Sequence, residues 1–359
     1  IVEVIRSPER TVRIGVVGCG KMGQRHIGLV QGHPRAEAVA IADVLEERAR
    51  QVAEDAGIAA VYNNEDDLLS DERVDAVILA MPTGIRTPVA LKALEKGKHV
   101  LLEKPVAGSA EEVERMMERA GDRVVSCCSS RNAFKGHAVA AKTCVESGAL
   151  GTIRVVRVRS LWATPPEPNE NPPPWRESMK LNGGGILVNW GCYDLDYLMA
   201  ITGWRLRPRT VLAQWWAPAE PMQRYVAEGS DADAHFIALV RCDDGVMLSI
   251  ERGEFTSTKT DKAWEIIGSE ASLHLPMNPS KGSPGELVLD RFVPGKGVAS
   301  ETLWRPDEGD PALEVVGDFV LAILEKREPQ TNLVRSLVLQ RITDAVYASA
   351  DSGQCVTIP

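Results

Sequence analysis

The sequence predicts an α/β protein: an N-terminal doubly wound parallel sheet, followed by an α+β domain built on a large, mostly antiparallel open sheet. Three observations carry this. Between Val12 and Cys128, short and continuously apolar strands alternate with helical stretches, as in a parallel sheet covered on both faces. A glycine-rich turn, Gly18 to Gly23, joins the first strand to the first helix. Beyond about residue 135, β-patterned segments joined by turn signals dominate.

The elements follow in order. Val12–Val17 is a β-branched strand, and a helix runs from the glycine turn to about Gly32. Ala38–Ala42 is a second strand, Leu45–Gly57 a charged helix and Asp66–Ser70 a helical turn. Val74–Ala80 is a strand bounded by Pro82 and Gly84, and Pro88–Lys96 is a helix stopped by Gly97. His99–Leu102 is a strand, Glu111–Ala120 a helix and Val124–Cys128 a strand. After a helix to about Ser147 come the strands Ile153–Trp162, Val211–Trp216, Ala234–Arg241, Val246–Arg252, Ala263–Ile267 and Leu287–Leu289. Two helices, Leu313–Lys326 and Val334–Ala350, close the chain. These elements divide it into domains 1–134 and 135–359, with the closing helices free to pack back on the first.

Composition narrows the function. With 44% apolar and 25% charged residues, the 359-residue chain is neither collagen-like nor disordered. A formal net charge of −9 argues against a nucleic-acid or membrane-surface partner. Seven cysteines without a Cys-x-x-Cys pair read as reduced thiols, hence a cytoplasmic protein. No apolar run approaches the ~18 residues of a spanning helix, and residues 1–6 do not form a signal peptide. No histidine shows metal-ligand spacing, so no metal is expected; His33 and His235 read as structural.

The turn Gly18-Cys-Gly20-Lys21-Met22-Gly23 stands where a Rossmann domain grips a dinucleotide. The first glycine permits the tight turn, the second admits the pyrophosphate, and the third lets helix and strand close up. The helix N-terminus offers unpaired N–H groups to the phosphates. Asp43 ends the second strand, where an acid would bond the ribose hydroxyls of NAD, although it could also be a helix N-cap. NAD is therefore the expected cofactor, with NADP the alternative because Arg48 and Arg50 lie close in sequence.

Met81-Pro82-Thr83 and Glu103-Lys104-Pro105 end two neighbouring strands, at the edge where open α/β sheets bind ligands. Both are expected to touch the cofactor, and Pro105 holds Lys104 extended. Further on, Gly183-Gly184-Gly185 implies a close backbone approach. In the apolar helix after it, Asn189, Tyr193 and Asp196 share one face, and their partners are either protein groups or a polyhydroxylated ligand. Tyr193 is the candidate proton carrier, with Lys104 favouring its ionised form. Arg131, Trp162, Trp175 and Arg176 are candidate pocket-wall residues, and Pro165–Pro174 is a connector or a lip over a cleft.

Taken together, the glycine turn with His26 after it, Glu103-Lys104-Pro105, the triple-glycine helix and the ending Asp318–Gly353 resemble the glucose–fructose oxidoreductase / inositol dehydrogenase (Gfo/Idh/MocA) family over nearly the whole chain. The resemblance implies reversible hydride transfer between NAD(P) and a secondary alcohol of a sugar, inositol or related polyol. Lys104 and Tyr193 would be the acid/base pair, Asn189 would hold a neighbouring hydroxyl, and the second-domain sheet would join a homodimer or homotetramer. Two other readings use the same fold: transient sugar oxidation without net NADH, and a non-catalytic dinucleotide sensor. Asn189 and Tyr193 stand where the family commonly has Asp and His, and Arg86 where many members have His. Arg86 would then face a substrate anion or the cofactor carboxamide.

Overall fold

The computed structural model describes residues 10–277 and 285–359. Residues 1–6, read above as lacking a signal peptide, lie outside them. The chain forms two compact units. The first comprises residues up to 106, 111–128 and 313–334; the second comprises 107–110, 129–312 and 335–359. The division falls at 128/129, ahead of the 134/135 boundary read from the sequence, and 313–334 returns to the first unit.

In the first unit the order is β1 (Val12–Val17), α1 (Lys21–Gln31), β2 (Ala36–Ala42), α2 (Glu46–Ala56), β3 (Ala60–Tyr62), α3 (Glu65–Ser70), β4 (Ala76–Leu79), α4 (Thr83–Glu95), β5 (His99–Leu102), α5 (Ala110–Ala120) and β6 (Val125–Cys127). The strands lie in the order β3-β2-β1-β4-β5-β6, each parallel to its neighbours. This is the doubly wound sheet that continuous apolar runs predict: β4 is buried throughout, as is β5 after its first residue. The order reverses between β1 and β4, and ligands of such sheets bind at the carboxyl ends there.

The second unit contains α6 (Gly136–Glu146), β7 (Ile153–Ala163), α7 (Met179–Asn182), α8 (Cys192–Ile201), β8 (Pro208–Trp216), β9 (His235–Cys242), β10 (Met247–Thr256), β11 (Asp261–Gly268), β12 (Ala271–His274), β13 (Leu287–Val293) and β14 (Gly297–Trp304). Next comes α9 (Val315–Glu325), which belongs to the first unit; α10 (Leu333–Ser352) and β15 (Val356–Thr357) follow. The nine strands lie in the order β14-β13-β12-β11-β7-β10-β9-β8-β15. All neighbours are antiparallel except β7 and β10, which pair in parallel at the centre. Every residue of α8 is buried, as its apolar pattern requires. Its Asp194 is held inside by Arg252, at 2.5 and 3.0 Å, and by Trp264 Nε1 at 2.8 Å.

The close approach implied by the triple glycine is to the protein itself. A Cβ on Gly184 would lie 1.9 Å from Tyr347 Oη, and one on Gly185 1.9 Å from the Asp233 carbonyl oxygen. Four strands lack a counterpart in the sequence reading: β3, β12, β14 and β15. They are short, or like β14 at the sheet edge have a single buried residue, so apolar periodicity is weak in them. Helix α4 begins at Thr83, well before the expected Pro88, and carries that proline inside it. Buried Arg86 and Thr87 anchor this first part through bonds to Met81 O and Glu112. All seven cysteines are free thiols. Among the described residues no helix is long and apolar enough to cross a membrane.

Candidate active site

In the first unit the glycine turn explains itself atom by atom. Gly18 has φ of +95°, and a Cβ on it would meet Ala80 O at 2.4 Å; one on Gly23 would meet Gly18 O at 1.8 Å. A Cβ on Gly20, by contrast, would meet nothing within 4 Å. Gly18 and Gly23 are thus required by packing, and Gly20 by open space over the turn. The first-turn N–H groups of Lys21, Met22 and Gly23 have no acceptor within α1, and that turn carries no acidic side chain. An open backbone cradle with unspent donors fits a dinucleotide pyrophosphate. Asp43 accepts from Cys19 N at 2.7 Å, Leu45 N at 2.8 Å and Arg48 Nη2 at 2.7 Å. Burial alone would raise its carboxyl, but the bonds from Arg48, Leu45 and Cys19 hold it below the ordinary value.

The turns after β4 and β5 lie at the same edge and are knitted together by Arg86. Its buried guanidinium donates to Met81 O and Thr83 Oγ1 on one side, and to Glu103 O and Pro105 O on the other. Its donors are engaged by protein, in place of the substrate anion or cofactor carboxamide expected from the sequence. Glu103 is buried; its Oε1 lies 2.7 Å from His26 Nε2, and its Oε2 accepts from Lys104 N at 3.0 Å. Burial opposes its charge, yet His26, Lys104 and Arg86 keep the carboxyl far below the usual range. Lys104, half-buried, follows at the carboxyl end of β5, and its peptide bond to Pro105 is cis. Cys128 Sγ completes a group of three donors within 4.8 Å that could hold a metal ion, a grouping spread across 102 residues that sequence spacing does not reveal. The 2.7 Å contact between His26 and Glu103 is itself a hydrogen-bond length.

In the second unit, a π turn at Leu187–Gly191 leads into α8 and interrupts the simple 3.6-residue phase. Asn189 donates to Arg176 O at 2.9 Å and accepts from Asn182 at 3.1 Å. Asp196 accepts from Ser129 Oγ at 2.6 Å. For these two residues the polar stripe finds protein partners. Tyr193 is buried, and the Arg131 guanidinium lies over its ring, 4.3 Å from the centroid. Trp190 bridges two rings: its centroid is 5.8 Å from Tyr193 and 6.0 Å from Trp162. Trp162, Trp190 and Arg176 line a cavity of about 260 Å³, together with Pro165 from the proline-rich loop. Trp175 is 38% exposed and is not part of that wall.

Comparison with known proteins gives this arrangement a family. Residues 12–129 match the family model described as an oxidoreductase family with an NAD-binding Rossmann fold, and residues 138–274 match the GFO/IDH/MocA C-terminal domain. The chain belongs to the Gfo/Idh/MocA family. It is 30% identical over 287 residues to dTDP-3,4-didehydro-2,6-dideoxy-alpha-D-glucose 3-reductase of Streptomyces violaceoruber, covering 79% of this chain and 78% of that one. It is 26% identical to the scyllo-inositol 2-dehydrogenase (NAD(+)) of Bacillus subtilis (strain 168), covering 79% and 81%. A levoglucosan dehydrogenase solved with NADH and levoglucosan shares the fold, with a TM-score of 0.82 at 23% identity over 98% of this chain and all of that one.

This Gfo/Idh/MocA protein is an NAD-dependent oxidoreductase. Two residues of this arrangement escaped sequence reasoning. Trp190 passes for a core aromatic until its ring partners are seen. Glu177 passes for a loop acid, yet it is buried and paired with Arg176. Burial pushes Glu177 up to about 7 from an ordinary 4.5, with Glu254 adding to the shift and Arg176 opposing it. The folded chain therefore holds this proton more tightly than the unfolded chain. The stability this confers is complete below about pH 4.5 and is lost as pH rises through about 7. At ~1.4 kcal/mol per pH unit, the loss is about 3 kcal/mol. Glu177→Gln should raise the melting temperature at pH 8 and leave it little changed at pH 4.5; equal effects at both pH values would remove Glu177 as the cause.

Proposed function

We propose that this enzyme interconverts a secondary hydroxyl and a ketone on a sugar, inositol or related polyol. The observation that carries this is the shared edge: the glycine turn after β1, Met81–Thr83 after β4 and Glu103-Lys104-Pro105 after β5 end adjacent parallel strands at the switch point. The substrate class rests on the relatives, which include enzymes named for inositols, levoglucosan and a deoxy-sugar. When bound, NAD supplies the two-electron acceptor. Gly18, Gly20, Lys21, Met22 and Gly23 cradle its phosphates, Asp43 takes the ribose hydroxyls in exchange for part of its Arg48 pairing, and Met81, Pro82, Thr83 and Glu103 border it.

Tyr193 takes the proton of the reacting hydroxyl. Lys104 helps it as the other half of the acid/base pair, and the Arg131 cation packs over the Tyr193 ring. Asn189 works through the backbone, fixing Arg176 at the pocket wall. Trp162 offers a face to the substrate ring.

The test is incubation with NAD and myo-inositol, scyllo-inositol, levoglucosan or D-glucose, following NADH absorbance and products. Net NADH with one of these rings is expected. Product without net NADH would replace this reading with transient oxidation, and NADH binding with no conversion would favour a sensor. We also propose assembly into a homodimer or homotetramer through the nine-stranded sheet. Its exposed face carries the cross-strand pair Leu212 and Leu239, with Ile237 beside them. Light scattering should give a multimer that Leu239→Glu dissociates; a monomeric parent protein would end that proposal.

A further inference from the structure

Glu254 sits in the tryptophan-lined cavity, and the proposed chemistry does not use it. It lies where β10 slips against β7: Gly253 pairs with Leu161, but Thr256 pairs with Ala163, so β10 carries one residue more. The bulge passes through Phe255, whose φ is +54°. That is a left-handed conformation a bulky side chain adopts only under strain, and such strain gathers at functional sites. Bulges also re-aim side chains. Here Glu254 Oε2 accepts from Arg176 Nη2 at 2.8 Å. Oε1 is buried and has no hydrogen-bond partner among the described residues.

Arg176 also pairs with Glu177, so one guanidinium lies between two carboxylates. Neutralising Arg176 does not need both acids. A buried carboxylate oxygen without a donor is costly, and Glu254 lines the cavity, so a turn of its carboxyl group would bring this oxygen to a donor seated there. At about 260 Å³ it is just below the ~300–1,000 Å³ of drug-sized ligand sites, a volume suited to a single substituted ring. Trp162 and Trp190 supply apolar walls tilted 36° to each other, and Trp190 is the ring next to Tyr193.

We propose that Glu254 determines specificity: its free Oε1 accepts a hydrogen bond from a donor substituent, hydroxyl or ammonium, on a ring seated against Trp162 and Trp190, away from the reacting carbon. The inference rests on the function proposed above and adds a requirement to it. The preferred ring carries a donor at one particular non-reacting position, and the analogue lacking that donor is discriminated against, as happens when a site's polar group is left unpaired.

The test uses the full-length protein with NADH bound. Calorimetric affinities are measured for myo-inositol, levoglucosan, D-glucose, D-glucosamine and the monodeoxy analogues of the ring that binds best. KM and kcat are measured on any ring turned over. The parent protein should prefer one ring over one of its monodeoxy analogues by about 10–100-fold, the range of a hydrogen bond to a charged group. In E254Q the amide can satisfy Arg176 with its oxygen and turn its NH2 into the cavity. That variant should weaken the parent ring by about tenfold, leave the deoxy analogue unchanged and keep kcat, NADH affinity and melting temperature. A glucosamine preference lost in E254Q identifies the donor as ammonium; a glucose preference lost in E254Q identifies hydroxyl. Unchanged discrimination in E254Q overturns the inference, as does a fall in kcat at constant KM. If E254Q melts early, E254D provides the second variant: it keeps the charge beside Arg176 but shortens the reach of the carboxylate into the cavity, and should blunt the same discrimination; full discrimination in it overturns the inference. If the parent protein binds none of these rings, the proposed function itself has failed, an outcome distinct from ring binding that Glu254 does not influence.

Discussion

Lys104→Ala should lower kcat by about 10²–10⁴, the usual contribution of a positioned acid/base group, while NADH still binds. Lys104 stands at the carboxyl end of β5, and its placement does not depend on its own side chain. The backbone on either side is held by others: Glu103 accepts from Lys104 N, and Arg86 donates to the carbonyls of Glu103 and Pro105. Truncation therefore removes the ammonium and leaves the loop in place. NADH fluorescence titration and turnover on the best polyol measure the two halves of the prediction. Turnover near the parent rate would show that Lys104 is not part of the proton path.

Gly23→Ala should abolish tight NADH binding. Its methyl would lie 1.8 Å from Gly18 O and 2.9 Å from Gly18 C, both backbone atoms that cannot rotate away. Relief requires α1 to move off the turn, at a cost of about 1–3 kcal/mol or more, and the first-turn donors move with it. Gly20→Ala is the matched control, because its methyl meets nothing within 4 Å. The melting temperature should hold in Gly20→Ala and fall in Gly23→Ala, and NADH affinity should drop in both. A Gly23→Ala protein that binds NADH like the parent would contradict the close packing of helix on turn.

Much of the fold is legible in the sequence for a simple reason. A strand buried on both faces, such as Ala76–Leu79, is an unbroken apolar run bounded by turn residues. A strand like Gly297–Trp304 has no such signature, because only its last residue is buried. The cofactor turn is legible because its three glycines are spaced by backbone geometry alone. The substrate side is harder to read. Asn189 looks like a ligand-facing residue by helix phase, yet its carboxamide bonds to Arg176 O and Asn182, which a π turn brings into reach. Arg86 looks like a free cation at a strand end, yet it faces four acceptors in two loops. The Glu254 bulge depends on the register between strands about 90 residues apart, which local pattern does not encode.

The parallel pairing at the centre of the large sheet also bears on how the chain reaches this state. Strand β7 ends at Ala163, and its two partners are β10 and β11, the first of which begins only at Met247. Both edges of the central strand therefore stay open throughout synthesis of the more than 80 residues between them. Closing so long a loop is entropically slow, and an unpaired strand with one apolar face invites association with other chains while it waits, even though Arg157 and Arg159 charge its other face. The second unit should thus nucleate late, once β10 and β11 have emerged, and rely on quality control in the cell until then.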